Sequence, residues 1–85
     1  MNKEGECPLH AINEFVEALK EITGDAYAEV RFAYNNGVYM TVTWRSQRMG
    51  LLPIHVTKSF DDLYHYNYKT LNDILLYIKR IEDGV

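Results

Sequence analysis

Several residue types are scarce in this chain of 85 residues, and each scarcity excludes something. A single cysteine, Cys7, rules out an internal disulfide. No charged leader followed by an apolar core opens the sequence, so the expected compartment is the cytoplasm. No apolar run approaches the ~20 residues that a membrane span needs. The only prolines are Pro8 and Pro53, and no Pro/Gly/Ser-rich linker, internal repeat or low-complexity tract divides the chain. One small domain over residues 1–85 is therefore expected, with a loose polar start at residues 1–6. A chain this short buries only about 60–65% of its unfolded surface, enough for one thin core.

Acid is also missing from one stretch. The formal net charge is −3, from nine Lys+Arg against twelve Asp+Glu. Between residues 30 and 60 there are four bases (Arg31, Arg45, Arg48, Lys58) and no acid. The seven acids Glu4, Glu6, Glu14, Glu17, Glu21, Asp25 and Glu29 precede that stretch, and five more follow it. Either opposite signs flank one another in the fold, or the basic stretch presents a face to an acidic partner; the composition leaves both readings open.

What is present is 47% hydrophobic and 25% charged, the balance of an ordinary globular domain. Apolar residues at Leu9, Ile12, Phe15, Val16, Leu19 and Ile22 fall on one face of a helix that Pro8 opens and Thr23-Gly24 closes. Two alternating runs follow, 26–34 and 38–45, rich in β-branched and aromatic residues. A two-residue turn at Asn36-Gly37 would mix their faces. A three-residue loop, Asn35-Asn36-Gly37, pairs Tyr34 with Val38, Phe32 with Met40, Val30 with Val42 and Ala28 with Trp44. Only that register buries one apolar face, and it places Gly37 at the left-handed position of a type I turn with a G1 bulge.

A loop over 46–50 leads to a third strand at about Pro53–Thr57, with Pro53 at its start or on an edge. Ser59 with Asp62 then resembles a capping box opening a short helix, and Thr70 with Asp73 opens a second helix. Its stripe is Leu71, Ile74, Leu75, Ile78 and Ile81, with Gly84 beyond the end. The break between the two rests on the poor helix formers of residues 64–69; one helix from Phe60 to Glu82 is the alternative. The expected fold is an α+β two-layer sandwich of order α-β-β-β-α-α, a three-stranded antiparallel sheet with helices packed on one face.

Enzymatic chemistry finds no foothold in the motifs. There is no phosphate-binding glycine loop, no nucleophile elbow and no zinc-protease helix. Cys7 and His10 have the spacing of half a zinc site, but no second half follows, so neither metal nor cofactor is expected. Cys7 at a helix start could be reactive, yet no base is placed to orient it. His55 and His65 are solitary.

Seven tyrosines in 85 residues are informative. Tyr64, Tyr66 and Tyr68 alternate within the break. Tyr27, Arg31, Tyr39, Arg45 and His55 fall on the sheet face turned from the core. Exposed aromatics with arginine suit a protein interface; they also suit single-stranded nucleic acid, although Glu29 among them and the net negative charge oppose backbone-driven binding. The helix–three strands–helix order resembles that of the double-stranded RNA-binding domain. The basic start of that family's last helix is absent, the matching stretch being Lys69-Thr70-Leu71-Asn72-Asp73, as is its Gly-Pro and His loop signature. The resemblance is one of order and implies no RNA-binding function.

The expectation is a non-enzymatic protein-interaction module (a regulator, inhibitor or accessory protein) of the kind common in phages and mobile elements. Its binding residues would be Tyr27, Arg31, Tyr39, Arg45 and His55 on the sheet or Tyr64, Tyr66 and Tyr68 in the break. A homodimer on the same surface is a variant. A weak nucleic-acid binder is the alternative, and no membrane partner is expected.

Overall fold

The computed structural model describes residues 8–84; Cys7 and the polar start at residues 1–6 lie outside them. Helix α1 spans Pro8–Thr23, strand β1 Glu29–Tyr34, β2 Val38–Ser46 and β3 Leu52–Phe60. A 3-10 turn at Leu63–His65 and helix α2 at Tyr68–Asp83 complete the order. The sheet is antiparallel with β2 in the centre, and both helices pack on one face, the α+β sandwich expected. Among the described residues no helix is long and apolar enough to cross a membrane.

The hairpin register is the one that face-matching requires: Tyr34 pairs with Val38, Phe32 with Met40 and Val30 with Val42. The turn differs from the expected G1 bulge. Asn36 takes the left-handed conformation (φ 55°), Gly37 lies at φ 140°, and the Asn35 N–H donates to the Gly37 carbonyl. A Cβ on Gly37 would stand 2.9 Å from the Phe60 carbonyl, so backbone angle and crowding both demand glycine.

Three expected boundaries are corrected. The first strand starts at Glu29 rather than residue 26, because Asp25 turns the chain there. The third strand runs on to Phe60 rather than ending at Thr57; Lys58, Ser59 and Phe60 pair with Met40, Tyr39 and Val38. Ser59 is therefore no helix cap, and the Asp62 carboxylate instead accepts from the Tyr64 N–H at the 3-10 turn. Helix α2 starts two residues before Thr70: Asn67 is its N-cap, and Thr70 supplies the reciprocal side chain of the capping box. The break between the 3-10 turn and α2 stands, and Gly84 caps α2 in the left-handed conformation.

The core lies between β2 and the two helices. Val38, Met40, Val42 and Trp44 meet Ala11, Ile12, Phe15 and Leu19 of α1 and Leu71, Ile74 and Ile78 of α2. Two polar groups of this core are answered by one carboxylate: Glu82 accepts from the Trp44 indole N–H (2.9 Å) and from the Ser46 hydroxyl (2.6 Å).

The direction of each strand's hydrogen bonds can be deduced. The Tyr66 hydroxyl lies 3.0 Å from the Val38 carbonyl oxygen and 2.6 Å from that of Lys58, so both oxygens face the gap between β2 and β3. Residues of an antiparallel ladder alternate in the neighbour they bond. The even-numbered residues of β2 thus bond β3 and the odd-numbered ones bond β1. The Arg45 N–H agrees: it points past the start of β1 and donates to the Asp25 carboxylate at 2.8 Å. On β3, Pro53, His55, Thr57 and Ser59 turn their backbone outward, and the missing N–H of Pro53 falls on the free edge, where it costs no ladder bond.

Asp25 thus completes the ladder in place of a strand residue. Hydrogen bonds from the backbone N–H groups of Arg45 and Tyr27, with the Arg45 charge, hold its carboxyl below the usual carboxylate range. The stabilisation is present above that range and is lost as acid protonates the folded carboxylate. Asp25→Ala is expected to speed hydrogen exchange of the Arg45 amide about tenfold, leaving that of Val42 unchanged, as amide-resolved NMR would read.

Candidate functional site

The outer face of the sheet is set by the pleat, which turns alternate residues away from the helices. Its rows, read from β1 to β3, are Ala33–Tyr39–Ser59, Arg31–Thr41–Thr57, Glu29–Thr43–His55 and, beyond the end of β1, Arg45–Pro53. Four of the predicted binding residues, Arg31, Tyr39, Arg45 and His55, do share this face, and all four are exposed. The middle is a polar ladder: the Thr41 and Thr57 hydroxyls lie 3.2 Å apart, and the Thr43 hydroxyl meets His55 Nδ1 at 3.1 Å.

The aromatics and cations are spread rather than clustered. Tyr39 and Arg45 are six residues apart on β2, about 20 Å. Tyr27, 91% exposed, stands before β1 and is brought beside Arg45 because one carboxylate, Asp25, accepts from both backbones. Arg31 Nε sits 3.1 Å from Glu29. Arg31 therefore has an acid beside it, whereas Arg45 meets Asp25 through its backbone N–H and its guanidinium has no carboxylate within 4 Å among the described residues.

The tyrosines of residues 64–68 do not form one surface. Tyr64 is exposed. Tyr68 is half-buried against the core at the start of α2, beside the seam between the helices. Tyr66 is wholly buried, which corrects its expected place at an interface. Its ring meets Phe32 and Phe60 edge-on, with centroids 5.6 and 4.7 Å away, and its hydroxyl ends on the β2–β3 ladder. Burial pushes this phenol above its usual range, and a backbone hydrogen bond at Met40 offsets part of the rise.

The histidines have local partners: His10 lies 3.3 Å from Glu14, and His65 bonds Asp62 and stacks on Phe60. Among the described residues no group of three or more His, Cys, Asp or Glu is placed to hold a metal; Cys7 lies outside them.

A concavity that the sequence reading missed lies between β3 and α2. It measures about 690 Å³ and is lined by Val56, Lys58 and Phe60 from the strand and by Thr70, Asp73, Ile74 and Tyr77 from the helix. The available signal was Tyr77, which stands outside the stripe Ile74–Ile78–Ile81, and Lys58, a cation in the core-facing phase of its strand.

The fold and site define a small α+β domain with a sheet face left uncovered by the described residues and a groove along one edge. Comparison with protein-family models, curated proteins and solved structures finds no match to the chain.

Proposed function

We propose that the protein is a non-enzymatic protein-interaction module, acting in the cytoplasm as a regulator, inhibitor or accessory protein, that docks a partner on its outer sheet face. The observation that carries this reading is the face that no other described residue covers: both helices lie on the other side, and Tyr39, Arg31, Arg45 and His55 project from a paired ladder. Tyrosine supplies a large contact area at low entropic cost, and tyrosine and arginine are frequent interface anchors. The scarcity of unpaired cations on the face favours a protein over a nucleic acid. Phosphate binding draws its strength from unpaired cations, whereas Arg31 is paired with Glu29 and the formal net charge is −3.

The test is capture of a partner by the tagged chain. One stoichiometric species is expected with the wild type and none with Tyr39→Ala plus Arg45→Glu. The melting curve should stay within about 0.5 kcal/mol of wild type, because both side chains project from the surface. Tight oligonucleotide binding at low salt, falling steeply as salt is added, would instead favour the nucleic-acid reading.

A further inference from the structure

The groove between β3 and α2 has the parts of a strand-addition site. The outward backbone groups of β3 (three N–H donors at His55, Thr57 and Ser59, and the carbonyls of Pro53, His55, Thr57 and Ser59) have no backbone partner among the described residues. Such an edge is a template for another strand. The core-facing side of β3 is also incompletely covered. Ile54, Val56 and Phe60 are half-buried and Lys58 is exposed, whereas Val38, Met40, Val42 and Trp44 of β2 are wholly buried. An added strand would lie under the Tyr77 and Ile74 wall of α2 and finish the burial.

We propose that this groove binds an extended peptide as a fourth strand, selecting an apolar residue and, two positions along, a carboxylate. The selectivity follows from the register. Guest residues opposite Val56 and Lys58 are two apart and face the groove together. Val56, Phe60, Ile74 and Tyr77 receive the apolar one. Lys58 has no carboxylate within 4 Å among the described residues, its Nζ resting 5.5 Å over the Phe60 ring, so it is available to an acid opposite it. Asp73 on the helix wall repels a second carboxylate, limiting the motif to one. Pro53 ends the run of donors, so the guest is short. A second copy of the chain is the poorer occupant, because its β3 would bring its own α2 to the same face.

The probe is a capped, fluorescein-labelled heptapeptide, Thr-Val-Thr-Glu-Thr-Val-Thr, which reads the same in either strand direction, with its lysine-for-glutamate counterpart as control. Anisotropy is expected to show the glutamate peptide binding at least about tenfold more tightly than the lysine peptide, and Lys58→Glu to reverse the preference. Thr57→Pro should abolish binding while the circular dichroism melt persists, because the Thr57 N–H points away from β2. Tyr39→Ala, on the other face, should leave peptide binding unchanged, which separates this site from the docking face proposed above. Equal binding of the two peptides, or binding that survives Thr57→Pro, overturns the proposal. Concentration-dependent self-association abolished by Thr57→Pro overturns it in favour of a second copy.

Discussion

Tyr66→Ala is expected to remove about 3–5 kcal/mol of stability, the loss that accompanies deletion of a buried aromatic ring. A domain this small has few kilocalories to spare within the usual 5–15. The melting temperature should fall by roughly 15–30 °C, or the cooperative transition should vanish. The reason is position. Tyr66 is wholly buried, and its ring is held edge-on by Phe32 from one edge strand and Phe60 from the other. Tyr66→Phe keeps the ring and loses only the hydroxyl bonds to Val38 and Lys58, for an expected cost of about 1 kcal/mol.

The same hydroxyl gives a pH signature. Burial raises its pKa in the folded chain, so the unfolded chain ionises first as pH rises. Its contribution is intact below the ordinary tyrosine range and declines as pH climbs through it. Wild type should therefore lose stability in alkali faster than Tyr66→Phe, as paired denaturant titrations would show; the converse order would mean that the hydroxyl is hydrated in the folded state.

Glu82→Ala is the second large effect. One carboxylate, set in the last turn of α2, satisfies the indole N–H of Trp44 and the hydroxyl of Ser46, both of them buried side chains. Its removal leaves two buried donors with whatever water can reach them, at about 1–3 kcal/mol each if unsatisfied. An expected total of about 2–4 kcal/mol follows, and Glu82→Gln, which keeps one acceptor oxygen, should cost less than alanine. Trp44 is the only tryptophan, so its fluorescence reports the site directly. A wild-type melt in the alanine variant would show that the polar pair is hydrated already.

Short-range chemistry explains which parts of the fold could be read in advance. Helix α1 carries its apolar stripe and both its ends in its own sequence, and the hairpin register follows from the matching of two alternating faces. The far end of β3 carries no such pattern. Lys58 and Ser59 are polar, and Ser59-Phe60-Asp61-Asp62 mimics a helix start; only pairing with Val38–Met40, remote in sequence, makes those residues a strand. The burial of Tyr66 is illegible in the sequence for a similar reason. Nothing periodic surrounds it, and its burial is decided by two rings from strands that converge there only in the folded chain. Of the candidate surface, alternation alone identified Arg31, Tyr39, Arg45 and His55 as one face. The capture of the Arg45 backbone by Asp25 and the groove under α2 required the third dimension.

The bonds that seal the core also order its assembly. Both hairpins close locally, whereas the Tyr66 hydroxyl reaches back 28 residues to Val38, and Glu82 reaches back 38 to Trp44 and 36 to Ser46. Long closures carry their entropy cost before any contact rewards them. The sheet can therefore form first as two hairpins, with the last turn of α2 arriving late as a latch. In kinetic terms, a latch absent from the transition state governs the rate of escape from the native state, and losing it hastens unfolding while leaving folding nearly as fast.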